Sequence, residues 1–161
     1  MLKMIPKKYL TKEQALQKLR HYCGYQERSH AEVKTKLFEL GVRKADHDEL
    51  LATLIEEDYV NEERFAIAYA GGKFRMKHWG RVKIKYELKQ KQVSDYSIKK
   101  AFQQIDETVY QDTLKALFDE RWESLRHEKN RFTKMAKTRD FLLQRGFEAE
   151  LVTALFSQRR D

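Results

Sequence analysis

The segment KLFELGVRKADHDELLATLI (residues 36–55) ends one helix, turns within a few residues and begins another. The same outline recurs at ELKQKQVSDYSIKKAF (87–102) and again at FLLQRGFEAELVTALF (141–156). A helix–turn–helix outline that recurs at this spacing is typical of tandem repeats, in which each unit buries its apolar face against its neighbours. The sequence therefore predicts an all-α protein made of three stacked helical units.

The three copies align at individual positions. The leucine before the turn is Leu37, Leu88 or Leu142, and the apolar residue after it is Val42, Val93 or Phe147. The apolar pair on the following helix is Leu50-Leu51, Ala101-Phe102 or Leu155-Phe156. Gly41 and Gly146 lie in the turn, where a helix that ends in a left-handed residue favours glycine, and Gln92 takes that place in the middle copy.

Turn and capping signals divide the chain into nine predicted helices, at about 11–25, 29–40, 46–57, 61–76, 80–91, 94–104, 107–127, 132–145 and 148–158. Taken in threes, they predict an N-terminal tail at 1–10 and three-helix repeats at 11–58, 59–105 and 106–161. We expect these tandem repeats to stack into an elongated array that can curve. A compact globule is the alternative shape.

One segment carries a conflicting signal. Residues 81–89, RVKIKYELK, alternate apolar and polar side chains at the period of a strand. The equivalent segment of the first copy, EVKTKLFEL (32–40), spaces its apolar residues as a helix does, and no second strand-like segment is available to pair with residues 81–89. We therefore predict a helix here.

Several polar residues are placed to start helices. Ser29 followed by Glu32 has the form of a capping box, Asp46 has the same outline, and Asn61 can cap the helix that follows it. The inward stripe of that helix is predicted to contain Phe65, Ala68, Tyr69 and Gly72. Acidic residues beside these starts, such as Glu62, are explained by the helix dipole and need no catalytic role.

The positive charge of the chain is concentrated in one segment. The formal net charge is +8, and residues 73–100 hold ten lysines and arginines against two acids, so this segment accounts for the whole excess. The remainder holds 23 bases and 23 acids. A concentrated basic segment on a balanced background is typical of a surface that binds a polyanion. The alternative is a lysine-rich solvated helix surface.

The sequence offers little for catalysis or metal binding. Cys23 is the only cysteine, which excludes a disulfide framework and favours a reducing cytoplasm. The five histidines lack metal-ligand spacing, and no phosphate-binding glycine loop or nucleophile motif is present. No apolar run is long enough to span a membrane, and the basic N-terminus lacks the apolar region of a secretory signal. We expect a cytoplasmic, non-enzymatic monomer without cofactor or metal.

The basic segment KFRMKHWGRVKIKYELKQK (73–91) alternates cations with aromatic residues, which can neutralise phosphates and stack on bases or pack into a protein groove. Within it, the candidate contact residues are Lys73, Arg75, Lys77, Trp79, Gly80, Arg81, Lys83, Lys85 and Lys89. Arg81 and Lys85 share one helix face, and Gly80 lets the backbone turn tightly or approach a partner. Phe74 and Trp79 can instead close the junction between helices. A weaker secondary basic cluster contains Arg126, Lys129, Arg131, Lys134, Lys137 and Arg139.

Two stretches of the sequence carry a family resemblance. They are ERSHAEVKTKLFELGV (27–42) and DYVNEERFAIAYAGGKFRMKHWGRVKIKYELKQKQV (58–93), and with the threefold repeat they resemble the RecX family of bacterial regulators of the RecA recombinase. The arginine–phenylalanine–alanine signature of that family matches Arg64, Phe65 and Ala66, which adds Arg64 to the candidate residues. The glycine before the next helix matches Gly80. Trp79 and Gln92 depart from the family pattern.

The resemblance implies a protein that lies in the groove of the RecA–single-stranded DNA filament and inhibits its growth, ATPase activity and strand exchange. It would act in DNA repair by homologous recombination and in the SOS response. The charge pattern leaves two further readings open. One is a helical protein that binds single- or double-stranded DNA without RecA, and the other is a helical scaffold whose basic face meets an acidic protein.

Overall fold

In the computed structural model, which describes residues 10–159, the chain is folded into nine α-helices. They are α1 (Lys12–Tyr25), α2 (His30–Glu39), α3 (His47–Glu56), α4 (Glu62–Lys77), α5 (Arg81–Gln90), α6 (Asp95–Gln103), α7 (Glu107–Ser124), α8 (Arg131–Gln144) and α9 (Ala149–Gln158), with a short 3-10 turn at Lys44–Asp46. We call α1–α3 the first repeat, α4–α6 the middle repeat and α7–α9 the third repeat. The predicted tail lies outside the described residues except for Leu10, which packs on the first repeat.

Most helices start at a polar side chain that accepts a hydrogen bond from the backbone N–H three residues later, as a capping residue does. These caps are Thr11, Ser29, Asn61, Ser94, Asp106 and Asn130. The predicted cap at Asp46 is wrong. Asp46 closes the 3-10 turn in a helical conformation and makes no cap hydrogen bond, and its carboxylate instead lies 3.9 Å from the Lys12 Nζ.

The turn between the second and third helix of each repeat is the same in all three copies. After the turn, the backbone N–H of Val42, Val93 or Phe147 donates to the carbonyl oxygen of Leu37, Leu88 or Leu142, at 3.1, 3.1 and 3.2 Å. The residue before each donor is left-handed, with φ of 72° at Gly41, 63° at Gln92 and 94° at Gly146. The predicted alignment across this turn is therefore confirmed.

Beyond the turn, the predicted alignment is displaced by one helical turn. The buried residue at the fourth position of the last helix is Leu50, Ile98 or Val152, and not the pairs Ala101-Phe102 and Leu155-Phe156. The difference arises because the 3-10 turn lengthens the connection in the first repeat alone.

The strand-like segment is α5, as predicted. Ile84 and Leu88 are buried one turn apart, whereas the alternating residues Val82 and Tyr86 are 55% and 62% exposed. Only half of the alternating apolar residues therefore reach the core, which is the outcome expected for a helix.

The inward face of α4 is rotated from the predicted one. Ala66, Ala70 and Phe74 are buried at a spacing of four together with Phe65, whereas Ala68 faces solvent. The small residues near the middle of α4 let α6 approach closely, and these two helices form the centre of the middle repeat.

The apolar core has two parts. One cluster belongs to the first repeat alone and includes Leu19, Leu37 and Leu54. The other runs without interruption through the middle and third repeats. At its centre the ring of Tyr110 packs between those of Phe74 and Phe147, with centroid distances of 5.5 and 5.4 Å.

Backbone contacts join the middle and third repeats. The Gly80 N–H donates to the Arg145 carbonyl at 2.8 Å, and the Val82 N–H donates to the Gly146 carbonyl at 2.9 Å. A Cβ atom on Gly80 would lie 2.4 Å from the Gly146 backbone, and one on Gly146 would lie 2.2 Å from the Lys83 Cβ. Two glycines are therefore required for the N-terminus of α5 to meet the turn after α8.

Charged side chains join the first and middle repeats. Arg64 donates to Glu27 at 2.5 Å and to Asp58 at 3.1 Å, and the Lys91 Nζ lies 3.3 Å from Glu32. The buried apolar cluster of the first repeat is separate from that of the other two.

Substitution of Gly80 by alanine should destabilise the protein by about 1–3 kcal/mol, because the added Cβ forces apart two backbone hydrogen bonds. Gly72→Ala is the matched control, since its Cβ would meet open space inside α4 and should stabilise the helix by about 0.5–1 kcal/mol. Urea unfolding of both variants measures the difference. Equal effects would contradict the close contact at the junction.

Candidate functional site

The predicted contact residues of the middle repeat divide among several environments. Arg81 and Gly80 lie in the junction with the third repeat. The Arg81 side chain is only 22% exposed and forms ion pairs with Glu107 and Glu148, both at 2.7 Å. Its guanidinium also lies 3.8 Å from the centre of the Tyr110 ring. The charge of Arg81 is therefore neutralised within the junction by two carboxylates.

The contacts in this junction shift the pKa values of its ionisable side chains. Burial would lower the pKa of Arg81, but hydrogen bonds to Glu107 and Glu148 outweigh burial and raise it. The same hydrogen bond from Arg81 lowers the pKa of Glu107. Burial raises the pKa of Tyr110, and its hydrogen bond to Glu148 adds to the effect. The Tyr110 hydroxyl accepts from the Arg81 N–H at 3.0 Å, so this group links three helices.

Arg64 also has a structural contact that the sequence did not reveal. It lies in the junction with the first repeat, where Glu27 and Asp58 hold it. Hydrogen bonding to Glu27 raises the pKa of Arg64 despite the opposing effect of partial burial. Arg64 thus connects two repeats, in the same way that Arg81 does at the other end of the middle repeat.

The remaining cations of α5 lie on two different sides. Residues 83 and 85 are two positions apart, which separates their side chains by about 200° around the helix axis. Lys85 lines a groove of 340 Å³ together with Lys99 and Phe102 of α6, and Lys89 pairs with Asp95 at 2.8 Å. Lys83 lies on the other side, over Trp79. The cations of α5 therefore lie on two sides of the helix.

Lys83 belongs to an alternating row of cations and rings, which we call the cation–aromatic row. In order along the surface, the row contains Lys83, Trp79, Lys73, Tyr69 and Lys91. The distances from each amino nitrogen to the neighbouring ring centre are 4.3, 4.9, 5.4 and 5.6 Å along this order. Each is within the range of a cation–π interaction, so the rings hold the lysines in place.

Two members of the row, Tyr69 and Lys91, were not among the contact residues predicted from the sequence. Tyr69 was assigned to the core, but it is only partly buried and packs against the core through one side of its ring. Burial, reinforced by the carboxylates of Glu87 and Glu32, raises the pKa of Tyr69 and keeps the phenol neutral. Lys91 lies near the end of the basic segment, and only its contact with Tyr69 reveals its place. The signal available in the sequence was the four-residue spacing between Tyr69 and Lys73, which places the two side chains on one face of a helix.

Lys73 and Lys83 keep their charges available. Within residues 10–159, neither lysine forms an ion pair with a carboxylate. Arg75 and Lys77, near the C-terminus of α4, are exposed and likewise lack carboxylate partners among the described residues. The Arg75 guanidinium folds back over Gly71. Open charge of the middle repeat therefore lies along the row and at the end of α4. Lys85, Lys99 and Lys100 also lack a carboxylate partner among the described residues, on the groove side and along α6.

The middle repeat is also the part of the chain that matches a known family. Residues 61–101, from the Asn61 cap into α6, match the family model described as RecX, second three-helix domain. The middle repeat is therefore similar to the second three-helix domain of RecX proteins. All five members of the cation–aromatic row lie inside the matched range.

Curated relatives carry the same family name. The chain is 24% identical to the "Regulatory protein RecX" of Bacillus cytotoxicus over 141 residues, which are 87% of this chain and 52% of that protein. It matches the protein of that name from Bacillus cereus to the same extent. The chain thus spans about half the length of the curated relatives it matches.

Solved structures show that the fold is shared. One crystal structure of regulatory protein RecX superposes with a TM-score of 0.81 at 20% identity, over 91% of this chain and 71% of the other. The crystal structure of RecX from Lactobacillus salivarius superposes with a TM-score of 0.82 at 21% identity, over 91% of this chain and 95% of the other. The predicted all-α fold of tandem repeats is confirmed.

The secondary basic cluster is partly engaged. Lys134 and Arg131 lie 4.1 and 5.8 Å from the centre of the Trp122 ring, and Lys137 lies 3.5 Å from Glu128. The Arg126 Nε lies 3.3 Å from the His127 ring. Lys129 and Arg139 are exposed and form no ion pair within the described residues.

Other chemistry is sparse in the described part of the chain. Within it, no cluster of side chains could hold a metal ion, and no helix is sufficiently long and apolar to cross a membrane. Cys23 is buried in the first repeat, and this burial raises the pKa of its thiol to about 11. A thiol in that state is a poor nucleophile at neutral pH.

Reversal of charge should distinguish the two sides of α5. Arg81→Glu would place a third carboxylate beside Glu107 and Glu148 and should destabilise the protein by about 2 kcal/mol, less than the ~3–5 kcal/mol lost at a fully buried pair. Lys85→Glu makes the same change in charge on the same helix and should change stability by less than about 0.5 kcal/mol. Thermal unfolding compares them, and equal stability would contradict the junction role of Arg81.

Proposed function

We propose that this protein binds the filament of RecA on single-stranded DNA and inhibits its growth, ATPase activity and strand exchange. The observation that carries the proposal is the family match at residues 61–101, which is the repeat that bears the cation–aromatic row. The curated relatives are named regulatory proteins, so the proposed activity is regulation by binding. We propose further that the protein acts as a monomer in the cytoplasm, in homologous recombination and the SOS response.

The chemistry of the row fits such a target. A filament on single-stranded DNA offers phosphates and a protein groove together, and lysines held over aromatic rings can meet either with little loss of side-chain entropy. Trp79 lies between two of these lysines, and it is partly buried against the core of the middle and third repeats. We therefore place the proposed contact at Lys73, Trp79 and Lys83, extended by Arg75 and Lys77.

The two sides of the middle repeat provide a matched test. Lys73→Glu/Lys83→Glu reverses two charges on the row, and Lys85→Glu/Lys99→Glu reverses two charges on the groove side. Two lost contacts of about 0.7 kcal/mol each should raise the concentration for half-inhibition of the RecA ATPase about tenfold in the row variant. The groove variant should inhibit as the unmodified protein does. RecA ATPase turnover on single-stranded DNA is the measurement.

The possible results test the proposed regulation of RecA and the proposed contact surface separately. If the unmodified protein leaves the ATPase unchanged at saturation, regulation of RecA is excluded. If both variants lose inhibition equally while keeping their helical circular dichroism, the row is not the contact surface.

Direct binding of nucleic acid without RecA is the second candidate, favoured by the alternation of open cations and rings in the row. Neutralisation of about six phosphates of a single strand gives a slope near −4 for log K against log salt. Lys73→Gln/Lys83→Gln should reduce the magnitude of that slope by about 1.4, and Lys85→Gln/Lys99→Gln should leave it unchanged. Fluorescence anisotropy of a labelled oligonucleotide measures the slopes, and a flat salt dependence would remove this candidate.

A further inference from the structure

The first repeat contains a concave site that the middle-repeat surface does not include. It is a groove of 480 Å³ on the outer side of α1 and α2, and its lining includes Lys18, His21, Tyr22, Tyr25, Arg28 and Lys36. None of the described residues that line it carries a carboxylate. The groove therefore combines an aromatic floor with a cationic rim.

The aromatic floor is pre-organised. The Arg28 Nε donates to the Tyr22 carbonyl at 3.0 Å, which fixes the guanidinium 3.8 Å from the centre of the Tyr22 ring. The same guanidinium lies 6.0 Å from the centre of the Tyr25 ring. Tyr25 is 79% exposed, so the face of its ring is open to a ligand. A ligand that stacks on Tyr25 would lie beside the Arg28 guanidinium, which is held in place over Tyr22.

The cations of the rim are available. Lys18, Arg28 and Lys36 form no ion pair with a carboxylate of residues 10–159. The Lys36 Nζ lies 5.3 Å from the centre of the Tyr22 ring, so its charge is held over the floor. If a ligand stacked a ring on this floor, a negatively charged group attached to that ring would therefore meet cations on two sides.

A second groove lies between the groove of the first repeat and the cation–aromatic row. Tyr22 and Lys36 also line this second groove of 220 Å³, whose opposite wall includes Lys91 of the middle repeat. Lys91 is the last member of the row, and its amino group is held by Glu32. The second groove thus adjoins both surfaces, and its lining places the carboxylates of Glu32 and Glu39 between them.

We infer that the groove of the first repeat binds single-stranded nucleic acid by stacking an unpaired base on Tyr25, with the adjoining phosphates at Lys18, Arg28 and Lys36. Single strands join planar rings to evenly spaced negative charges, which is the combination that this lining complements. A duplex buries its ring faces in its own stack, and an acidic peptide supplies charge without a regular series of rings. The inference rests on the proposed function, which supplies single-stranded DNA as the ligand. It adds how the first repeat holds that DNA.

A ligand without bases isolates the stacking contact. We would measure the binding of a labelled thymidine oligomer of about 15 nucleotides, and of an abasic oligomer of the same length, in the absence of RecA. Tyr25→Ser should weaken binding of the thymidine oligomer by roughly fivefold to a hundredfold and leave binding of the abasic oligomer unchanged. Tyr25→Trp should restore the affinity for thymidine. Tyr96→Ser is the control, because Tyr96 is also exposed beside a lysine, on α6.

Three outcomes would overturn the inference, and a fourth separates it from the proposed function. Equal losses on both oligomers would show that Tyr25 supports the shape of the groove and does not stack on a base, and no loss on either would show that Tyr25 is not a stacking platform. Loss of RecA inhibition by Tyr25→Ser with unchanged oligomer binding would identify a protein as the occupant. If the unmodified chain fails to inhibit RecA but Tyr25 still distinguishes the two oligomers, the proposed function fails and the base-stacking site stands.

Discussion

The close approach of two glycines at the junction of the middle and third repeats is the constraint on which the rest of the structure depends. Gly80 and Gly146 let two backbone hydrogen bonds form across the junction. Those bonds fix the N-terminus of α5 against the turn after α8, and Arg81 then reaches Glu107 and Glu148. The ring of Tyr110 fills the space beneath them. Because α5 is fixed in this way, Lys83 is directed to Trp79 and the cation–aromatic row forms.

Local patterns of apolar, turn and capping residues in the sequence were sufficient to predict the helices. The repeated turn identified the left-handed position of Gln92, although glutamine does not favour that conformation, because Gly41 and Gly146 occupy it in the other copies. The helix at α5 was likewise predicted from its equivalent in the first repeat, against its own alternating pattern. Repetition supplies this information because each copy constrains the interpretation of the others.

The positions of the charged side chains depend on contacts between repeats, which no local pattern contains. Arg81 and Glu148 are 67 residues apart in the sequence, and their pairing requires the stacking of two repeats. Arg64 pairs with Glu27, 37 residues away, for the same reason. Summed charge therefore located a basic segment, but it could not separate the cations that are paired within the fold from those that lack a carboxylate partner. Arg81 and Lys83 are two residues apart and differ entirely in role.

The two junctions differ in the kind of interaction that holds them. Backbone hydrogen bonds and a continuous apolar core join the middle repeat to the third, whereas side-chain ion pairs join it to the first. Ion pairs at a surface are screened by salt and weaken as ionic strength rises, while buried apolar contacts do not. The chain is therefore mechanically asymmetric. Under tension applied to its two ends, the contacts of Arg64 and Lys91 between the first and middle repeats should break first. The middle and third repeats should then remain together as one rigid unit.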